Sequence, residues 1–235
     1  MINNIFKVLI PRSLRDRYRS TYPIWITNLR WRIRRMFGLR AAFPTIADGR
    51  VNVHLGCGPI DDPEFINVDA IGFGHVHYLA TVHPLPMFKN DTVDLIYVSH
   101  CLEHLDIVDV PKALEEWCRV IKPGGTLRLA VPDFEAILRI YESSRRSIRS
   151  IQYILYGGQD YPFNFHKAAF DRAHLSGLMN EAGFTEVITW EPGQDQWCKL
   201  NDCSSTTVMI DGTTFPVSLN LQAKKRVAPE SAAPH

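Results

Sequence analysis

The stretch Val51-Asn-Val-His-Leu-Gly-Cys-Gly58, followed by Phe65-Ile-Asn-Val-Asp69, constrains this chain more than any other. Val51, Val53 and Leu55 alternate with polar residues, which is the period of a β-strand. Gly56 and Gly58 then permit a tight turn whose backbone N–H groups can approach a ligand with no Cβ in the way. The second apolar stretch closes on Asp69, a carboxylate at the strand tip, where a nucleotide-binding α/β sheet holds a ribose diol.

A dinucleotide is a poor fit to this turn. The nicotinamide fingerprint needs a third small residue where this chain has Asp61, and an acid about 20 residues on. Asp69 comes only 13 residues after Gly56. Pro59 also removes one N–H donor that a pyrophosphate would use. A ligand with a ribose and no pyrophosphate fits better.

Taken with Leu85-Pro-Met-Phe88, Val93–Leu105, Trp117–Gly125 and Leu127–Asp133, these motifs resemble the class I S-adenosylmethionine (SAM)-dependent methyltransferases, in order, over about residues 51–133. The resemblance implies an α/β fold with a doubly wound, mostly parallel, seven-stranded Rossmann-like sheet, and SAM as cofactor. It implies that Leu55, Gly56, Cys57 and Gly58 lie against the methionine part. Asp69 would take the ribose hydroxyls, with Ala70, Leu85 and Ser99 completing the cofactor site. Leu85 and Met87 either sandwich the adenine or pack in the core. Two departures stand out. About nine residues separate the first two strands, too few for a complete crossover helix. The acid that many members place after the third strand is replaced by Ala80-Thr-Val-His83, so the adenine contact falls to Thr81 or a backbone group, or is missing. Tyr156–His166 and Glu181–Phe184 resemble a bacterial subgroup associated with surface-polysaccharide or glycolipid synthesis, which implies a sugar hydroxyl as acceptor.

Ser99-His-Cys-Leu-Glu-His104 follows the fourth strand, at the end where open α/β sheets bind ligands. Methyl transfer is a displacement on an already activated sulfonium, so holding the acceptor in line supplies much of the rate. A hydroxyl acceptor adds the need for a base, and imidazole has a suitable resting pKa. His100 and His104 are therefore the leading catalytic candidates. His166, in a loop with Tyr161, Phe163 and Phe165, is the third. Each could equally brace the loop. Asp133 and Asp202 are placed either on the acceptor side or, for Asp133, at a helix N-cap. His100-x-x-Glu103-His104 also matches a zinc-protease signature, but that signature lies on a helix and needs a distant acid. Here it directly follows a strand, and no metal is expected.

The charge is lopsided. The net charge is +1, yet residues 1–50 hold eleven Lys/Arg against Asp16 and Asp48, leaving an acidic remainder. Residues 1–45 read as a basic helical arm; Ile24 to Arg40 suits either an anionic membrane interface or a helix packed on the domain. Nucleic acid is a weak alternative, since no recognised module accompanies the charge. Residues 46–225 form the SAM-binding domain and 226–235 a disordered tail. The five cysteines lack a disulfide spacing and there is no spanning segment or signal peptide, so a cytoplasmic protein is expected, with possible peripheral membrane contact. Further elements are a strand over 76–79, a helix from Asp106 or Asp109 to Ile121, a strand over 126–131 and a helix from Asp133 to about Arg149. A helix over 171–181, a strand over 184–190, an irregular stretch over 191–213 and a last strand over 215–223 follow. The alternative to an enzyme is a methyltransferase-like binding module without catalysis.

Overall fold

The computed structural model describes residues 24–197 and 200–227; most of the expected tail and residues 1–23 of the arm lie outside the described residues. A seven-stranded sheet runs in the order β3-β2-β1-β4-β5-β9-β6. Its strands are β1 (Asn52–Leu55), β2 (Ile66–Asp69), β3 (Tyr78–Leu79), β4 (Val93–Ser99), β5 (Ile121–Pro132), β6 (Phe184–Thr189) and β9 (Ser218–Lys225). β1 to β5 pair in parallel, and β9 runs antiparallel between β5 and β6. This is the mostly parallel α/β sheet expected. β4, an almost unbroken apolar run, is central, as a strand covered on both faces should be.

Chain order reverses between β1 and β4. At such a switch point the two adjacent loops leave the sheet in opposite directions and open a crevice. The loops here are Gly56–Gly58 after β1 and His100–His104 after β4.

Alternate residues of the strands build two layers. Val53, Leu55, Val68, Ile96, Val98, Leu127 and Leu129 meet α2 (Val110–Val120) and α5 (Arg172–Glu181) through Leu114, Trp117, Leu175 and Met179. Pro111 begins α2, where its missing N–H costs nothing. On the other face Leu95, Tyr97 and Ala130 pack with Phe65, Trp190 and Leu200 from connecting segments. A separate cluster joins α3 (Phe134–Ser143), α4 (Ile148–Tyr156) and the hairpin β7–β8 (Thr207–Ile210, Thr213–Pro216).

Three predicted boundaries change. The helix expected from Asp133 to Arg149 is two helices, broken where Arg145 and Arg146 take φ of 59° and 58°. Residues 207–216, expected to be mostly irregular, form the β7–β8 hairpin. β5 begins at Ile121, ahead of the expected Thr126, with a register shift against β4.

The arm supplies α1 (Ile24–Met36), and one side of it packs on its own domain. Asn28 donates to Ala70 O (3.0 Å) and accepts from Gly72 N (2.7 Å). Trp31 Nε1 donates to Val76 O at 2.8 Å, and Arg35 to His77 O at 2.7 Å. Gly72 makes this approach possible, since a Cβ there would lie 2.5 Å from Trp31 Cβ. The outer side leaves Trp25, Leu29, Ile33 and Met36 exposed among Arg30, Arg32 and Arg34.

Candidate functional site

The turn after β1 is built for close backbone approach. Gly56 and Gly58 have φ of +64° and +53°, and a Cβ on Gly56 would meet Cys101 Sγ at 2.6 Å. Gly58 N–H donates to Asp69 Oδ2 and Ile71 N–H to Oδ1, both at 2.7 Å. A carboxylate has about four lone-pair sites, so acceptor capacity remains. Asp69 is only 8% exposed. Burial pushes its pKa up to about 6, with the Ile71, Gly58 and Ala70 N–H groups pulling the other way. A buried carboxylate with spare acceptor capacity is the partner that a ribose diol would satisfy, through charge-assisted bonds.

Gly56, Gly58, Asp69, Ala70, Val82 and Tyr161 are among the residues lining a cleft of about 270 Å³ beside this turn. Ala80 and Val82 give it an apolar wall against which a purine can lie. The Thr81 hydroxyl donates to His83 O at 2.8 Å, leaving its oxygen as an acceptor.

Four of the expected cofactor residues stand elsewhere. Leu55 and Leu85 are fully buried in the core because the sheet and α2 close over them; the Leu85 N–H is held by Glu116 at 2.6 Å. The Cys57 thiol is buried against Gly58 O and the His75 ring. Ser99 ends β4 outside the cleft. Val82, Tyr161 and Phe163, which the sequence reading did not assign to the cofactor, line the cleft.

A second cavity, about 160 Å³, adjoins the first and shares His100, His104 and Tyr161 with it. Tyr153, Asp160, Asn164 and His166 complete much of its polar wall. The three expected catalytic histidines are therefore brought together. The loop that carries His166 is pinned to the 3-10 turn Leu102–His104 by backbone bonds from Lys167 N (2.8 Å) and Ala168 N (3.1 Å) to Glu103 O. His104 and His166 rings pack edge to face, centroids 4.9 Å apart. His100 holds a left-handed φ of 49°, strained for a residue with a Cβ, and its Nε2 lies 2.8 Å from Ser218 Oγ.

Between the histidines lies Glu103, fully buried, with His100 Nδ1 at 3.3 Å and His166 Nε2 at 3.9 Å from Oε1. Burial pushes the Glu103 pKa up, but His100, with His104 and His166 behind it, outweighs burial when the rings are protonated and holds it at about 2. Burial pushes the His166 pKa down, with Glu103 opposing. Asp133 lies outside the second cavity and caps α3, accepting from Glu135 N. Asp202 caps the turn Cys203–Ser205 and accepts the Tyr97 hydroxyl at 2.7 Å, also outside that cavity.

Residues 63–129 match the family described as a methyltransferase domain. The chain is similar to the ubiquinone/menaquinone biosynthesis C-methyltransferase UbiE of Vibrio vulnificus (strain YJ016), 31% identical over 119 residues, which are 47% of this chain and 45% of that protein. It is 33% identical over 122 residues to the protein of that name from Proteus mirabilis (strain HI4320), covering 48% of this chain and 47% of the relative. The chain spans about half the length of these curated relatives. Among solved structures, a SAM-dependent methyltransferase from Thermotoga maritima, described as a possible histamine N-methyltransferase, shares 21% identity over 75% of this chain and 82% of its own, with a TM-score of 0.47.

Proposed function

We propose that this chain, whose residues 63–129 match a methyltransferase domain, uses SAM to methylate an oxygen of a hydroxylated acceptor, a sugar or glycolipid precursor. The observation that carries this reading is the junction of the two cavities at His100, His104 and Tyr161. A cofactor held by Asp69 in the larger cleft would present its methyl group to the smaller one.

The bound cofactor supplies a methyl group on a sulfonium sulfur. The chain's own residues supply position and proton handling. Asp69 holds the ribose and the Gly56–Gly58 turn gives backbone room. The polar wall of the second cavity receives the acceptor's hydroxyls. An acceptor hydroxyl placed at the junction of the cavities would take the methyl group and release its proton toward the histidine cluster. Placement of the reacting atoms at about 3–3.5 Å accounts for most of the acceleration.

The relatives' names describe carbon methylation. Three histidines with Asp160 and Asn164 around the acceptor favour a hydroxyl-bearing ligand instead. The outer side of α1 supports a glycolipid in particular. Trp25, Leu29 and Ile33 flanked by Arg30, Arg32 and Arg34 suit the interface of an anionic membrane, apolar groups entering the acyl boundary and guanidinium groups meeting phosphates.

Calorimetric titration with SAM and S-adenosylhomocysteine, followed by labelled-methyl transfer to hydroxylated glycans, glycolipids and quinols, tests the reading. Binding that is lost in Asp69→Ala, with label on an oxygen, is the expected result. Label on carbon overturns the acceptor class, and absence of SAM binding moves the chain to the non-catalytic binding module.

A further inference from the structure

We infer that Glu103, His104 and His166 form a binding site for one divalent metal ion of the zinc class at the wall of the acceptor cavity. Each offers one ligand atom, and these atoms lie within 4.8 Å of one another.

Hydrogen-bond accounting carries the inference. His104 Nδ1 lies 3.1 Å from Phe165 O, and His166 Nδ1 lies 2.8 Å from Ile154 O. A carbonyl only accepts, so both Nδ1 atoms carry the proton. In the neutral rings each Nε2 is then left as a bare lone pair, that of His166 3.9 Å from Glu103 Oε1. His100 repeats the pattern. Its Nε2 faces Ser218 Oγ, whose own proton goes to Cys203 O at 2.8 Å, so His100 donates outward and turns Nδ1 toward Glu103. That Nδ1 sits 3.3 Å from Oε1, yet neither Glu103 side-chain oxygen has an aligned hydrogen-bond donor. The centre of the cluster is thus a fully buried carboxylate ringed by nitrogen lone pairs. Burying such a group unpartnered is costly, and a cation is the partner that satisfies every member at once.

The surroundings match those of a metal centre. Ligating imidazoles characteristically donate their other N–H to a backbone carbonyl or carboxylate, which fixes tautomer and ring plane. Phe165 O and Ile154 O do this here. Two imidazole nitrogens and one carboxylate oxygen suit zinc, cobalt, iron or manganese better than magnesium or calcium, which take oxygen ligands. Three protein ligands leave an open position, and His104 and His166 line the cavity into which it would face. Metal–ligand distances of about 2.0–2.2 Å would require the three side chains to draw together by roughly an ångström. The sequence reading discounted metal because the letters His100-x-x-Glu103-His104 do not lie on a helix. The folded chain uses only the last two of them and recruits His166 from the pinned loop.

The role of the ion rests on the methyltransferase reading: it would take the acceptor's oxygen at its open position, which lowers that hydroxyl's pKa and eases release of its proton. The metal site itself stands on the geometry. The test uses the full chain, stripped with chelator and titrated with Co²⁺ by visible absorption and with Zn²⁺ by calorimetry. One equivalent should bind, with ligand-field bands of low coordination that Zn²⁺ displaces. His104→Ala and His166→Ala should each weaken binding at least about tenfold. Glu103→Gln, nearly isosteric, should do the same, while the exposed His174→Ala leaves it unchanged. Circular dichroism melts certify that each variant folds. A folded wild type that binds no stoichiometric metal, or wild-type affinity in both histidine variants, overturns the site. Full SAM-dependent turnover in metal-free protein overturns the role given to the ion and leaves both the site and the methyltransferase reading standing. Metal bound without SAM affinity leaves the site standing and overturns the methyltransferase reading.

Discussion

If Asp69 takes the ribose as proposed, SAM affinity should depend on pH in a window set by the burial of that carboxyl. Its carboxyl titrates at about 6 in the free protein, above the ordinary 3.8, because it is buried. Ribose hydroxyls donate far more strongly to the ionised form than to the acid, so binding competes with the proton. At pH 5 roughly a tenth of the carboxyl is ionised, and SAM should bind about tenfold more weakly than at pH 7. The free protein should show the opposite trend in stability. A raised carboxyl pKa means that the folded state holds a proton the unfolded state has released. The stabilisation is complete below pH 3.8 and is lost as pH rises through about 6. At neutral pH the charged, buried Asp69 therefore costs the unliganded protein about 3 kcal/mol, a cost that hydroxyl donors offset on binding. Calorimetric Kd values between pH 7 and pH 5, beside Asp69→Ala, check the reasoning. The wild type should lose affinity steadily below pH 6, and the variant should bind weakly at every pH. A wild-type Kd that stays flat across the range would show that Asp69 is not the ribose acceptor.

Other perturbations report on the elements around the cleft. Gly72→Ala puts a Cβ 2.5 Å from Trp31 Cβ and 3.3 Å from Asn28 Cα; overpacking of this kind costs about 1–3 kcal/mol, to be read as a lowered Tm. Trp117→Phe keeps most of the packing but strips Val82 O of its 2.9 Å buried donor. A loss of about 1–3 kcal/mol in urea unfolding is expected, along with weaker SAM binding, because Val82 walls the cleft. The double change Leu29→Asp and Ile33→Asp, both on the exposed side of α1, should abolish sedimentation with anionic vesicles and leave neutral vesicles unbound as before. Equal sedimentation would remove the membrane from the reading.

The parts of the fold that follow from local pattern were readable in the sequence. The apolar run Val93–Val98 could only be a doubly covered strand, and Asp69 sits at a strand tip whatever the crossover before it does. Leu85 was ambiguous because an adenine face and a core both call for an apolar side chain. What decided it is Glu116, 31 residues away, whose carboxylate holds the Leu85 N–H. The β7–β8 hairpin carried a signal that was passed over. Asp211-Gly212 is a two-residue turn pair, and its φ values of 47° and 81° are those of the type I′ turn that such pairs favour. Arg145-Arg146 holds no comparable signal for the break between α3 and α4. The convergence of His166 on Glu103 was out of reach of any local rule, since it depends on two backbone bonds between segments about sixty residues apart.

Asn28 grips the chain on either side of Ile71, accepting from Gly72 and donating to Ala70, and Ile71 in turn holds a carboxylate oxygen of Asp69. Asp69, the acid proposed to bind the ribose, is therefore splinted by a side chain outside the stretch that the strand pattern marks as the domain. A fragment beginning at residue 46 would retain every residue that lines the cleft and still lose part of its grip on the cofactor. The basic arm, through Asn28, Trp31 and Arg35, belongs to the architecture of the domain as well as to its surface.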